Sequence, residues 1–427
     1  MGKIETFSIK LNKEQNVFKP GETVAGWLVV DLKECIKINY LKVSFIGRGH
    51  VFWTETKASS RHSGSELEIV IFDADESYFD NDFILWGNGN LDDSSLAKVK
   101  TSDADVTTEM PEGHHEFPIS FTLPQDLPSS YESQMGFVRY LVKAKMSVPG
   151  KFNNCTTKAP FSVNSEYDLN TDRRAKEKIC HREQRKVGCW CFDSGVYNIN
   201  FSLDRRGYVP GERLCINAQV INHSGSAITP ELSLCMTTHY HAKSKSLSST
   251  SKSKTKTKTV DSRTCSTVQP RSDFVINETI RIPPLPPSNL TGCEAIDTKY
   301  HLWIKLSPGG CYGDNIEICE EIIIGTIPLG VTGSSLPIVD GAGGDPPPDV
   351  TEATMPRLPS DMPPPTYEEC VFGKVAIIEK DDNDHTKVEM NFAPHYIYYN
   401  WDQNVNLCST NQILGQPFSA NQYLSRI

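Results

Sequence analysis

No apolar run in this 427-residue chain approaches the roughly 20 residues that a membrane-crossing helix needs. The first residues also lack a hydrophobic signal region, so a cytoplasmic protein is expected. Gly2 and Thr6 fit a loose myristoylation pattern, but Ile4, Phe7, Ile9 and Leu11 read more simply as an opening strand. The thirteen cysteines contain no paired C-x-x-C clusters, which argues against structural zinc and for mostly free thiols, many of them buried. Cys189 and Cys191 flank Trp190 without a second cluster to complete a metal site, so packing is the simpler use. The sequons at Asn154, Asn222, Asn277 and Asn289 are silent without a secretion signal. A Gly-rich phosphate loop, a nucleophile elbow and a kinase signature are all missing. His114-His115 and the pair His239 and His241 come without acidic or cysteine neighbours at metal spacing. An enzyme is not expected, nor a cofactor, nor a metal.

Basic excess is missing too. The net charge is −10, and residues 331–427 hold 13 acidic and 5 basic residues, a balance of −8 that leaves about −2 for the rest. A near-neutral body carries no nucleic-acid footprint.

What the chain does have is a repeated turn and strand. V-F-K-P-G-E-T-V-A-G-W-L-V-V at Val17 to Val30 has its counterpart in R-G-Y-V-P-G-E-R-L-C-I-N-A-Q-V at Arg206 to Val220. Proline presets φ and glycine permits the tight turn. Leu214, Ile216, Ala218 and Val220 then alternate with Arg213, Asn217 and Gln219, the period of a half-buried strand. Downstream, Phe117, Ile119, Phe121 and Leu123 alternate, as do Val138, Tyr140, Val142, Ala144 and Met146 before Pro149-Gly150. Ile280 and Ile282, then Tyr300, Leu302, Ile304 and Leu306 before Pro308-Gly309, repeat that layout in the second half. The matching positions are 190 residues apart at the first turn and 160 apart later, which implies an insertion in the first half. The acidic stretch from Asp73 to Glu112, lacking alternation, is where it is expected.

These residues carry a resemblance. The paired Pro-Gly-Glu strands, P-E-G-H-H-E-F-P-I-S-F-T-L-P at Pro111 to Pro124, P-S-S-Y-E at Pro128 to Glu132, G-C-W-C at Gly188 to Cys191 and L-D-R-R-G-Y-V-P-G-E at Leu203 to Glu212 resemble the alpha-arrestins, or arrestin domain-containing proteins. The resemblance implies an all-β fold of two tandem arrestin-type immunoglobulin-like β-sandwich domains, followed by a disordered proline-rich tail. Strand patterning alone supports only a sandwich or barrel. The expected divisions are an N-terminal-like sandwich over 4–168, a basic connector over 169–195, a C-terminal-like sandwich over 196–330 and an acidic tail over 331–427. The connector's Arg173, Arg174, Lys176, Lys178, Arg182, Arg185 and Lys186 outnumber Asp172, Glu177 and Glu183, and it reads as a solvated linker more readily than as an anion-binding patch.

His241 to Arg263 reads as a mobile loop, since lysine alternating with serine and threonine buries no apolar surface. Lys243, Lys245, Lys252, Lys254, Lys256 and Lys258 make it a candidate contact for an anionic membrane surface. In the tail, Pro363-Pro364-Pro365-Thr366-Tyr367 contains P-P-x-Y, a preset polyproline II segment that suits the aromatic grooves of WW domains. The resemblance implies that Pro364 and Pro365 fill the groove and Tyr367 a neighbouring pocket, recruiting WW-domain HECT-type ubiquitin ligases. A second such site is expected near Phe392, but Ala393 replaces its first proline, so Pro394 and Tyr396 should bind much more weakly. The apolar residues around it, Phe392 and Tyr396 to Trp401, leave open whether they add a strand or pack transiently. The implied role is an adaptor. The sandwiches engage membrane receptors or transporters as cargo, the tail brings the ligase, and ubiquitinated cargo is endocytosed and sorted at plasma membrane and endosomes. Binding of thioredoxin through a cysteine, or a retromer-like trafficking scaffold, are the alternatives.

Overall fold

The computed structural model describes residues 3–13, 15–59, 66–87, 107–150, 154–189, 192–245, 250–308, 315–330, 375–377 and 391–399. In the first lobe the strands are β1 (Ile4–Leu11), β2 (Val17–Phe18), β3 (Thr23–Leu32), β4 (Ile36–Ile38), β5 (Tyr40–Ser59), β6 (Glu66–Gly87), β7 (Thr108–Met110), β8 (Gly113–Thr122), β9 (Tyr131–Glu132), β10 (Gly136–Ser147) and β11 (Cys155–Val163). The second lobe has β12 (Ile179–Cys189), β13 (Phe192–Leu203), β14 (Gly207–Tyr208), β15 (Arg213–Asn222), β16 (Ile228–Ser244), β17 (Ser251–Thr264), β18 (Ser272–Arg281), β19 (Ile296–Pro308) and β20 (Ile316–Ile324). The tail adds β21 (Val375–Ala376) and β22 (Asn391–Phe392), which pair with each other.

One layer of the first lobe is β1-β3-β8, and one layer of the second is β12-β13-β15-β18. The opposing layers are joined into one eleven-stranded sheet, β14-β20-β19-β16-β6-β5-β10-β11-β2, with β17 on β16 and β9 on β10. The join is antiparallel, Lys243 opposite Asp73 and Ser244 opposite Phe72. The core lies between these layers and follows the alternation: Leu214, Ile216, Ala218 and Val220 are buried, as are Val138, Tyr140, Val142, Ala144 and Met146.

The two Pro-Gly-Glu copies fold alike. Glu22 N donates to Lys19 O and Glu212 N to Val209 O, each at 3.1 Å, with the glycines at φ +79° and +94°. That is a turn with proline at its second position and a left-handed glycine at its third. The glutamate then reaches back: Lys19 N donates to Glu22 Oε2 at 3.0 Å and Val209 N to Glu212 Oε2 at 2.9 Å. The corner before the last strands is also repeated, with Tyr140 OH donating to Pro128 O and Tyr300 OH to Pro286 O, both at 2.7 Å.

Three expectations need correction. Asp73 to Gly87 is the second half of β6, paired with β5 throughout. Its alternation is hidden because the register slips twice, so that Tyr78 and Leu85 each have no partner of their own opposite, and a bulge interrupts period two. Of the rest of the expected insertion, residues 88–106 lie outside the described residues, and Thr108–Met110 is β7, paired with β4. The basic connector becomes ordered early: Asp172 caps a 3-10 turn at Arg173–Lys176, and β12 then pairs with β13 over its length. Its charges find local partners, Arg182 on Asn200 and Arg174 on Asp172 and Glu321. The third correction concerns the lysine-rich stretch, a strand rather than a loop.

Candidate functional site: the lysine edge and the seam between the lobes

β17 is the strand that the lysines build. It pairs with β16 from Lys243 opposite Ser251 to Glu231 opposite Thr264. No apolar residue is needed on it, because β16 supplies the apolar face with Met236, Tyr240 and Ala242, all buried. Hydroxyls and imidazoles join the two strands on the other face: Thr237 to Thr257 at 3.1 Å, His239 to Thr255 at 3.1 Å and His241 to Ser253 at 2.7 Å. Lys252, Lys254, Lys256 and Lys258 share the face of Ala242, Tyr240, Thr238 and Met236. Lysine on an outer strand also discourages pairing with another chain.

Two of the six lysines are committed to the first lobe. Lys252 Nζ lies 2.5 Å from Glu55 and Lys245 Nζ 2.7 Å from Asp73. Lys252 is hydrogen-bonded to Glu55 and holds that carboxyl below its ordinary value, against a smaller effect of desolvation. Burial acts to raise the Asp73 carboxyl, but Lys245 outweighs it and the net shift is downward. Lys254 sits over the Trp53 ring at 5.9 Å and Lys252 over Phe72 at 5.7 Å. The same junction holds Tyr131, whose hydroxyl meets Thr238 Oγ1 at 2.9 Å and the Tyr240 hydroxyl at 3.1 Å. Lysine charge thus helps to hold the lobes together, a use that composition does not reveal.

His50, Asp73 and Asp75 bring their ligand atoms within 4.8 Å of one another. Each already has a partner, with His50 Nδ1 2.7 Å from Asp75 and Lys245 on Asp73. His114 links strands: its Nδ1 is 2.5 Å from Asp31 and its Nε2 3.2 Å from Glu116. Cys189 ends β12 opposite Phe192, while Cys191 lies outside the described residues. Among the described cysteines, Cys155, Cys235 and Cys265 are buried, and Cys35, Cys180 and Cys319 are exposed.

Pro364, Pro365 and Tyr367 lie outside the described residues. Pro394 and Tyr396 do not, and they are not displayed: residues 391–399 lie in the seam between the lobes. On the first lobe, His395 N donates to Ser162 Oγ at 3.0 Å, Asn164 Nδ2 donates to His395 O at 3.0 Å, and the Tyr396 hydroxyl donates to Ser130 O at 3.0 Å. On the second, Tyr399 N donates to Pro210 O at 3.1 Å and its hydroxyl to Thr326 O at 2.7 Å. Tyr399 also packs with Leu169, Ala175, Val209 and Ile323. Tyr396 is 7% exposed and Tyr399 8%. Burial pushes the Tyr399 phenol up to about 12, helped by the Glu212 and Glu166 charges, and pushes the His395 imidazole down. Of the apolar residues expected there, Phe392 therefore adds a short strand and Tyr396 and Tyr399 pack against the body, while Trp401 lies outside the described residues. Gly211, the glycine of the second Pro-Gly-Glu, is what admits them, since a Cβ there would stand 1.9 Å from Tyr399 O. The pattern of a proline followed by aromatics in an otherwise polar tail was the available clue to this docking.

Family models match both lobes. The arrestin (or S-antigen) N-terminal domain matches residues 7–170 and the arrestin C-terminal domain residues 193–329. The chain belongs to the alpha-arrestin family. It is similar to arrestin domain-containing protein 17 of Caenorhabditis elegans, 24% identical over 93% of this chain and 100% of that protein. It is 26% identical to human arrestin domain-containing protein 4 over 78% of this chain and 74% of the relative. Human arrestin domain-containing protein 1 is also 26% identical, over 72% of this chain and 62% of its own length. This alpha-arrestin accordingly has two arrestin domains, and homology gives it the general part of an adaptor in protein trafficking. Nothing points to catalysis, and among the described residues no helix is long and apolar enough to cross a membrane.

Proposed function

We propose that this alpha-arrestin binds membrane receptors or transporters through its lobes and recruits WW-domain HECT-type ubiquitin ligases through Pro364, Pro365 and Tyr367, directing cargo ubiquitination, endocytosis and sorting from cytoplasmic positions at plasma membrane and endosome. The supporting observation is the distance along the chain from the motif to the anchored tail. Tyr367 precedes Val375 by eight residues, and Val375 is paired with β22, the strand that leads into the seam. Eight residues span at most about 28 Å when extended. A ligase on the motif is thereby kept within reach of whatever the lobes hold, and proximity raises the effective concentration of cargo lysines. All the chemistry belongs to the ligase.

Calorimetry of isolated ligase WW domains against the full chain and its Tyr367→Ala variant tests this. Loss of most binding in the variant is expected. Undiminished binding would move recruitment to another surface, and no binding by either form would sink the adaptor reading.

The membrane contact is proposed in narrower form. With Lys245 and Lys252 on carboxylates, the contact falls to Lys243, Lys254 and Lys256, each contributing roughly 1 kcal/mol near anionic headgroups. Co-sedimentation with phosphatidylserine vesicles should fall when these three become glutamine, and unchanged binding would exclude the contact.

A further inference from the structure

We propose that residues 391–399 form a strap that conceals the second proline–tyrosine motif, so that Pro394 and Tyr396 become a WW ligand only when the strap lifts from the seam. The inference rests on the reading of the tail as a WW-recruiting element. A WW domain must take the proline and tyrosine rings into its own aromatic groove and pocket. Here Pro394 and Tyr396 are buried, and the Tyr396 hydroxyl is on Ser130 O of the first lobe. The backbone between them is held as well, since the amide and carbonyl of His395 are bonded to Ser162 and Asn164. The two bound states cannot coexist.

The strap's other end is fixed on the second lobe, through Tyr399 to Pro210 and Thr326. Its two ends therefore require both lobes in their present arrangement. The apparent affinity of the motif is its intrinsic affinity multiplied by the fraction of chains with the strap lifted. By linkage, a ligand that shifts one lobe against the other would expose the motif, and a WW domain on the motif would favour that shift. The chain thus has two recruiting elements of different kind, one at Tyr367 and one conditional on the seam.

The test uses the full chain with Tyr367→Ala, which isolates the second motif, with and without Tyr399→Ala, which cuts the distal anchor but leaves Pro394 to Tyr396 intact. WW affinity is read by calorimetry and strap protection by amide hydrogen exchange over 391–399. Tyr399→Ala should speed exchange at His395 and raise WW affinity at least tenfold, and a further Tyr396→Ala should remove that gain. Tyr399→Phe, which loses only the hydroxyl bond, should act in the same direction more weakly, and it serves if the alanine variant folds poorly. Faster exchange without a gain in affinity overturns concealment while leaving recruitment at Tyr367 standing, provided the parent chain binds. If neither the unmodified chain with Tyr367 nor the released chain binds, recruitment and concealment both fail. Exchange as fast in the parent as in the variants would show that there is no strap to lift.

Discussion

Arg139 and Glu132 form a buried pair in the first lobe whose disruption should be severe. Arg139 Nε donates to Glu132 Oε1 at 2.6 Å and Nη2 to Oε2 at 2.8 Å, a fork on a carboxylate. Their side chains are 8% and 2% exposed, and the Phe137 ring lies 3.9 Å from the guanidinium carbon. Burial raises the Glu132 carboxyl above its ordinary value although Arg139 pulls it down. Arg139→Met keeps the volume and removes the cation that pairs with that carboxylate, leaving a buried charge unopposed at a cost of about 3–5 kcal/mol. For a lobe the size of the span matched at 7–170, that is a fall of roughly 9–14 °C in its melting temperature. The loss should shrink on acidification. Burial already raises Glu132, and removal of Arg139, which lowers it, raises it further, so the variant loses more stability than the parent as the pH climbs and is nearest the parent in the carboxylate range and furthest from it above neutrality. The double variant Arg139→Met/Glu132→Gln should recover at least half of the loss, since no buried charge remains. Calorimetric scanning at pH 4.5 and 7.5 measures all of this. A single-variant loss of under about 1 kcal/mol at pH 7.5, or one that does not change with pH, would refute the reasoning.

Other outcomes follow from the repeated and crowded places. Tyr140→Phe and Tyr300→Phe each remove one buried hydroxyl bond of the same length, so each should cost about 1–2 kcal/mol in its own lobe, and their effects in denaturant titration should add. A methyl on Gly47 would stand 2.5 Å from the Phe79 ring, which is packed against Phe121 and Tyr140 and cannot withdraw. Gly47→Ala should therefore lose about 1–3 kcal/mol in denaturant titration, and a neutral result would mean that the ring moves. His114 is raised above the usual imidazole value, first by its hydrogen bond to Asp31 and then by that to Glu116. Its stabilisation is present below about pH 6.5 and lost as the pH rises through the folded-state value. An NMR titration midpoint for His114 no higher than that of an exposed histidine would refute this.

The sequence by itself determined the parts whose physics is local. Proline and glycine preset the turns at Lys19 to Glu22 and Val209 to Glu212, and period-two alternation marked the buried faces of β10, β15 and β19, because each signal acts through the residue's own φ or through its immediate neighbours. Pro363 to Tyr367, read as polyproline from the same local chemistry, lie outside the described residues. Tertiary structure decided the rest. β17 carries almost no apolar side chain, and it is a strand because β16 offers it a backbone to pair with and Glu55 accepts its lysine. β6 conceals its alternation behind bulges set by the register of β5. The tail's Pro394 and Tyr396 form an exposable motif in one dimension and a buried strap in three, since Ser130, Ser162, Asn164, Pro210 and Thr326, which hold residues 395–399, lie between 73 and 266 positions from the residues they bond. Docking of that kind depends on how two lobes present their carbonyls across a seam, and that exists only once both have folded and joined through β6 and β16.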